Sequence, residues 1–413
     1  MFGTLFLKEC KQVAKSLVYY IYVIVLIFFI TSQMGEDFEI LSKPEVGMES
    51  YGVKETEDKG NIMRCGVREL LCETSNNCYL TYPVGFAKQV VLNEEELSII
   101  KGYLEDMTGK SYQALEAEMI ECYMRASEAY DDAGQEGYME VFYAYTTEIR
   151  EDLTYEEFLN IMEKVRKIVG SGSSYEQSTL EEMAYEAMSY EEALEAYNDV
   201  LEKDHISGAY ARLFCDYASM ILAILPAFLG VTRCLRDKRS KVSGVIYAKK
   251  VSTTTLLLSR YLANVVMIFL PVVVLAFFVQ MPYLYHAQTL HIAPDYFIFL
   301  RYVTIWLLPL IMAVVGLSFF LTEVLDSIVP IFVQIAWAGA SLFSADTLVG
   351  NFGLKLMPRW NTVGETALFF EQIKDLYCNR SFYVLLSLVF VAGAILAMTY
   401  KRKKGVNLIG KVC

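Results

Sequence analysis

The chain has 413 residues, with 36 Lys and Arg against 49 Asp and Glu, and only 3 His. Thirty-nine of the acids and 14 of the bases fall between Gln33 and Gly208, giving that stretch a net charge of −25 and leaving about one charge per seven residues elsewhere. The sparse remainder is divided into runs of about 20 mostly apolar residues, each long enough to cross a ~30 Å hydrocarbon core as a helix. That excludes a soluble enzyme and a nucleic-acid-binding protein.

The first run, LVYYIYVIVLIFFITSQM from Leu17 to Met34, follows a basic start that carries Lys8, Lys11 and Lys15. A basic start and an apolar run also describe a signal peptide. This run is too long for one and no small-x-small cleavage site follows it, so it is expected to stay as a membrane span.

The acidic stretch then reads as short helices. Asn93 precedes Glu96, Thr154 precedes Glu157 and Ser189 precedes Glu192, each by three positions. This is the capping-box spacing, which satisfies two otherwise unpaired backbone donors. Leu92 with Leu97 and Leu153 with Phe158 fit the accompanying hydrophobic staples. Helices are expected near 93–108, 111–130, 154–169, 178–187 and 189–203, with a short strand within 79–92. Asp131-Asp132-Ala133-Gly134 reads as a turn, because it lacks the alternating ligands of a calcium loop. Cys65, Cys72, Cys78 and Cys122 are candidates for disulfides if this domain lies outside the cell, with Cys72–Cys78 the easiest closure. No metal site is expected, since His is scarce and the Cys spacings match no common zinc finger. The acidic surface keeps an exposed domain soluble or attracts a cationic ligand such as a basic peptide.

Five further apolar runs follow, near 213–232, 260–279, 298–321, 327–345 and 381–400. Pro226, Pro271 and Pro309 interrupt three of them, as packing kinks or as hinges. Asp216 stands one turn after Arg212, a spacing at which the two can pair. Asn264 and Gln334 are placed to hydrogen-bond between helices. Lys and Arg in the short loops set the orientation. With the N-terminus inside, the inner segments hold 15 of them and the outer loops 4. Both termini are therefore expected in the cytoplasm and the acidic domain outside.

The expected fold is mainly α: a polytopic six-helix transmembrane bundle with a mostly helical (α or α+β) extracellular insert domain. Residues 1–34 form the amphipathic start and first span, and 35–208 the acidic extracellular domain. Residues 209–400 form five spans, and 401–413 a basic cytoplasmic tail.

The basic loop at 233–255 lies within RCLRDKRSKVSGVIYAKKVSTTTLLLSRYL and is longer than a tight turn requires. It either holds anionic lipid headgroups or docks into a cytoplasmic partner. Six spans with both ends inside, the amphipathic start and this loop together resemble an ABC-2 type transporter permease, the membrane subunit of a bacterial ABC exporter. The likeness places Gly244, Val245–Ile246 and LLLSRYLA (256–263) at the family's glycine, apolar pair and following helix start. Asp237 stands for its acidic residue, and Lys249-Lys250-Val251 replaces its proline. The outer segment 349–380 resembles the family's short re-entrant helices, most closely at Met357-Pro358-Arg359.

The resemblance implies that Asp237, Lys238, Arg239, Lys241, Gly244, Val245, Ile246 and Tyr247 form an ATPase-coupling loop. It implies a separate ABC ATPase subunit that uses ATP and Mg, and a second permease copy as homodimer or heterodimer. The chain itself has no G-x-x-x-x-G-K-[ST] loop, so it is expected to bind no cofactor and to be no enzyme. The expected location is a bacterial plasma membrane, in contact with lipid, and the cargo is a peptide, a lipid or an amphipathic small molecule. A phage-infection-protein-like receptor or secretion accessory has the same layout and is the alternative. Its outer domain is usually longer and rich in heptads. ABC permeases with a large outer domain and four spans fit the count less well. No Ser–His–acid or metal arrangement supports a membrane-anchored enzyme.

Overall fold

Apolar residues recur along one side of the first 14 positions, and they form helix α1 (Phe2–Ala14), which buries Glu9 and Val13. A break at Ser16 separates it from α2 (Leu17–Met34), apolar on every face. The structure is a computed structural model that describes residues 2–34, 43–48, 50–83, 87–145, 147–242, 245–246, 250–343, 349–350 and 352–404. It divides into two units: Lys43–Glu195, and Met1–Ser42 with Ala196–Cys413.

In the acidic unit the elements run β1 (Val53–Glu55), α3 (Lys59–Ser75), β2 (Tyr79–Thr81), β3 (Lys88–Val90), α4 (Glu94–Thr108), α5 (Tyr112–Ala144), α6 (Tyr155–Val169), α7 (Gln177–Glu182), β4 (Tyr185–Ala187) and α8 (Tyr190–Glu202), the last crossing the unit boundary. Strand β1 pairs antiparallel with β4, and β2 with β3. The caps form where the local spacing places them. Asn93 and Glu96 close a full capping box on α4, Thr154 Oγ1 accepts from Glu157 N–H, and Ser189 and Glu192 bond reciprocally. Leu92, Leu97, Leu153 and Phe158 all join one core cluster, as the staples require.

Helix α3 runs through the middle of this core, with ten buried residues. Gly66 is what lets it in: a Cβ there would stand 2.8 Å from the Phe158 ring and 3.0 Å from Leu180. This helix was not expected from the sequence. Two other expectations change. Residues 185–187 form β4 rather than the end of a helix over 178–187, because pairing with β1 claims their backbone. Asp131–Gly134 continue α5 instead of turning.

No disulfide joins the four cysteines, all of which are free thiols. Cys65 and Cys72 lie seven residues apart on α3, about 10.5 Å by helical rise and beyond disulfide reach. Cys65 Sγ donates to Tyr185 O at 3.3 Å, and Cys72 Sγ lies 2.8 Å from Tyr123 Oη. The turn expected to be closed by Cys72–Cys78 is closed instead by Cys78 N–H to Glu73 O.

Among the described residues of this unit, Glu73 is the one acid buried in the core, 7 % exposed. It accepts from Leu80 N–H at 2.6 Å and from the Tyr175 hydroxyl. Burial pushes its carboxyl up to about 6 despite these donors. The folded unit therefore favours the protonated acid. This contribution is complete below the ordinary glutamate pKa and is lost as pH rises through about 6. Amide exchange in α3, corrected for intrinsic rates, is expected to show protection rising between pH 6.5 and 4.5, by on the order of 1 kcal/mol. Glu73→Gln should flatten that rise, and an unchanged pH profile in the variant would assign it elsewhere.

The other unit continues as α9 (Ser207–Leu222), α10 (Leu225–Arg239), α11 (Thr253–Val279), α12 (Met281–Thr289), α13 (Ile298–Leu325), α14 (Val329–Phe343), a hairpin of β5 (Val349–Gly350) and β6 (Arg359–Trp360), and α15 (Thr366–Lys404). Among the described residues, α2, α11 with α12, α13 and α15 are long and apolar enough to cross a membrane. Helices α9 and α10 make a fifth span if they count as one, bent by 41°. Helix α14 has 15 residues and reaches about 22 Å, short of a ~30 Å core. The six expected runs thus correspond to four such helices, a bent pair and one shorter helix.

The three prolines act differently. Pro226 sits in the first turn of α10, at the bend. There Ala227 N–H turns to Ile224 O, and the Ala223 carbonyl accepts from Gln334 Nε2 at 2.7 Å instead. Pro309 follows a π-helical turn at Val303–Leu307. Pro271 stays inside a continuous helix. Asn264, unlike Gln334, bonds within its own helix, to Arg260 O at 2.8 Å. Large apolar side chains also face outward: Leu17, Ile24 and Phe28 on α2 and Leu385, Leu388 and Leu396 on α15 are exposed, a pattern that suits a non-aqueous surrounding.

Candidate coupling site

Four charged side chains meet where α1, α10 and α11 converge. Arg233 Nε donates to Glu9 Oε2 at 2.5 Å and its Nη2 to Oε1 at 2.6 Å. Arg260 Nη2 donates to Asp237 Oδ2 at 2.5 Å, and its Nε to Glu9 Oε1 at 3.4 Å. Arg233 Nη1 reaches Asp237 Oδ1 at 3.4 Å. Glu9, Arg233 and Arg260 are buried. Two guanidinium groups and two carboxylates alternate, so the buried charge cancels. Arg233 grips Glu9 at two points, which fixes that carboxylate's plane, and Arg260 bridges Glu9 and Asp237 with one bond to each.

A second cluster lies at the turn after α13. Lys401 Nζ donates to Glu323 Oε2 at 3.0 Å and to Asp326 Oδ1 at 2.9 Å, and Lys238 Nζ stands 3.6 Å from Asp326 Oδ2. Arg402 Nη1 donates to Val251 O at 2.8 Å and Thr253 Oγ1 at 3.0 Å. The flanks of the basic loop are therefore anchored from three sides. Among the described residues of its middle, Arg239, Lys241, Val242 and Val245 are exposed, Lys238 is exposed beside Asp326, and Ile246 is half-buried. Ile246 N–H bonds Val242 O, a single helical turn. Of the residues expected in the loop, Gly244 and Tyr247 lie outside the described residues. Asp237 alone belongs to the buried quartet.

The segment before α15 is clamped as well. Asp216 accepts from Arg359 Nε at 2.8 Å, Arg359 Nη2 at 3.2 Å and Trp360 N–H at 3.0 Å. Asn379 Nδ2 donates to Gly353 O and Lys355 O, both at 2.9 Å. Arg380 donates to Leu356 O and Trp306 O, both at 3.1 Å; Trp306 is in the π turn before Pro309. Met357 N–H bonds Ser341 Oγ at 3.2 Å. Met357, Pro358 and Arg359 are buried together.

The helical spacing paired Arg212 with Asp216, but Arg212 pairs with Asp204 and shares Thr366 with it: Arg212 Nη2 donates to Thr366 Oγ1 at 3.2 Å, which donates to Asp204 Oδ2 at 2.7 Å. Of the segment 349–380 expected to hold short re-entrant helices, the described part of 349–365 forms a short hairpin and turns, because strand pairing at Val349 with Trp360 and the carbonyls taken by Asn379 and Arg380 leave it no helical ladder, while 366–380 are helical and open α15. Sequence reading passed over Glu9, Asp204, Thr366 and Arg380 as site residues. The available signal for Glu9 was a lone acid in a start otherwise basic, on a helix with an apolar side.

Apolar helices of this length, tied by charge pairs buried among them, define a multi-pass membrane protein. Comparison of the sequence with known families makes this specific: the model of the family described as ABC-2 family transporter protein matches residues 90–370, and the chain belongs to that family. It is thus an ABC-2 type permease, the membrane component of an ABC transporter. No curated protein and no solved structure matches the chain.

Proposed function

We propose that the chain is the permease subunit of an ATP-driven exporter and that the loop over 233–255 receives a separate ABC ATPase, which binds the ATP and Mg. The reading takes six spans, with α9 and α10 as one and α14 as the short one. Both termini are cytoplasmic, and the acidic unit lies outside the cell. A second permease copy, identical or related, completes the path for a peptide, lipid or amphipathic small molecule. The observation that carries it is the quartet Glu9–Arg233–Asp237–Arg260 beneath an exposed basic turn. Force applied to the turn reaches three helices at once through buried, directional bonds.

The test is a mild-detergent pull-down of the tagged chain from its native membrane. A near-stoichiometric P-loop ATPase is expected, and the combined changes Lys238→Glu, Arg239→Glu and Lys241→Glu should remove it, at least tenfold, while the chain stays inserted. A crosslinked pull-down without an ATPase would sink the exporter reading.

A further inference from the structure

The chain leaves α8 through two residues with left-handed backbone, His205 at φ 48° and Ile206 at φ 63°. Ser207 N–H closes the bend on His205 O at 2.7 Å, and the buried Asp204 beside it is held by Arg212 and Thr366. The bend sets Lys203 and His205 against the starts of α13 and α15, with an open cavity of about 330 Å³ between them. Among the described residues, Lys203, Arg301 and Asp295 are its charged lining, and Tyr377 faces them from α15. These cations reach solvent: the side chain of Lys203 is 48 % exposed and that of Arg301 60 %. Each has one carboxylate partner. Lys203 Nζ bonds Asp199 Oδ2 at 2.7 Å, and Arg301 Nη2 donates to Asp295. Arg301 Nε and Nη1, the other N–H groups of Lys203 and the Tyr377 hydroxyl have no partner among the described residues. The accessible donors therefore exceed the one carboxylate in the wall, which suits an oxyanion. Phosphate matches the fork of a guanidinium best.

We propose that this cavity binds the phosphate of an anionic glycerophospholipid between Arg301 and Lys203, with the first methylenes of the lipid against Ile305. That the phosphate comes from a lipid rests on the orientation proposed above. Helix α13 has 28 residues, and Arg301 stands about 36 Å of helical rise from its cytoplasmic end at Leu325. That is just beyond a ~30 Å hydrocarbon core, at the depth of the headgroups. Ile305 lies one turn along the same face, about 6 Å deeper, where the acyl chains begin. Helix α15 gives the same level independently. Lys401 is fixed to Glu323 and Asp326 at that cytoplasmic end, and Tyr377 stands about 36 Å of rise from Lys401. Aromatic rings with one polar end collect at this depth. A free phosphate ester would find the same donors but would leave Ile305, Ile298 and Phe370 uncovered. A zwitterionic headgroup brings a cation of its own back towards Lys203 and Arg301, so net negative charge sets the preference.

The test uses the full chain, purified without any ATPase, in phosphatidylcholine vesicles that hold a photoactivatable lipid in both leaflets. The diazirine sits near the glycerol end of one acyl chain, and the head is phosphatidylglycerol or phosphatidylcholine. Labelled peptides are mapped by mass spectrometry. The phosphatidylglycerol probe is expected to label 298–305 and 370–377 about tenfold more than the phosphatidylcholine probe, the effect of a charge-assisted contact. Both should label the exposed side of α15 over 385–396 equally. Lys203→Gln combined with Arg301→Gln should erase the difference between the probes. Both side chains are on the surface, so the fold should stand, and unchanged labelling over 385–396 checks that it does. Equal labelling by both probes in the parent, or a preference that survives the double change, would overturn the site. Displacement of the probe by soluble glycerol phosphate at equal concentration would overturn the lipid as the source of the phosphate. Because no ATPase is present and both leaflets carry the probe, failure here leaves the exporter reading and its orientation standing, and failure of the pull-down leaves the site measurable.

Discussion

Glu9→Ala is expected to lower the melting midpoint of the full chain by roughly 10 °C and to end ATP-driven transport. Without the carboxylate, Arg233 and Arg260 remain buried with Asp237 as the one nearby acid of the quartet. An uncompensated buried guanidinium costs about 3–5 kcal/mol. The double change Glu9→Gln with Arg233→Met removes both charges in a similar volume and should recover most of the loss. The coupling energy from that cycle is expected to exceed about 2 kcal/mol. A Glu9→Ala chain that melts within a degree of the parent would mean the quartet is not a structural tie, and its role as transmitter would fall with it. Transport lost in the stable double variant would separate the two roles, because the fold would stand while the directional bond was gone.

Asp216→Ala should release the hairpin before α15. It strips Arg359 of a two-point carboxylate and leaves Trp360 N–H without its acceptor, a loss of about 3–5 kcal/mol for a buried pair broken from one side. The change is local, so the readout is too. Leu356 is 1 % exposed, and a Leu356→Cys thiol should react with maleimide only slowly in the parent. With Asp216→Ala its labelling is expected to rise by at least tenfold. Combining Asp216→Leu with Arg359→Met should restore much of the protection. If Arg212→Ala exposed Leu356 as much as Asp216→Ala did, the clamp would not be specific to Asp216 and Arg359.

Pairs of this kind have no mark in the sequence. Arg212 and Asp216 satisfy the one-turn rule, and each has a different partner: Asp204 and Arg359. Asp216 and Arg359 are 143 positions apart, and Glu9 and Arg233 are 224 apart. No local period encodes such pairs. The caps at Asn93, Thr154 and Ser189 are legible because all their atoms belong to four consecutive residues. The apolar runs were legible because hydrocarbon imposes length and composition on each helix separately. Helix α3 was not, since it is buried on several sides, carries Gly66 at its centre and shows no single apolar stripe. Residues 185–187 look helical beside their neighbours, and only β1, more than 100 positions earlier, makes them a strand. The basic loop at 233–255 stands out in the sequence by its charge. Its anchoring does not, because Asp237 gains its meaning from Glu9, Arg260 and the ends of distant helices.

Helix α15 has 39 residues without a break, about 58 Å of rise, nearly twice a ~30 Å hydrocarbon core. Thr366, Asn379 and Arg380 fasten one part of it to the hairpin and to α9, and Lys401 and Arg402 fasten the other end to the turn after α13 and to the start of α11. A hydrogen-bonded rod of this kind does not shorten under load. Any axial shift at its basic tip appears undiminished at the hairpin, on the same stroke and with no intermediate stop. While the fastenings at Thr366, Asn379 and Arg380 hold, the hairpin is bound to follow the basic end.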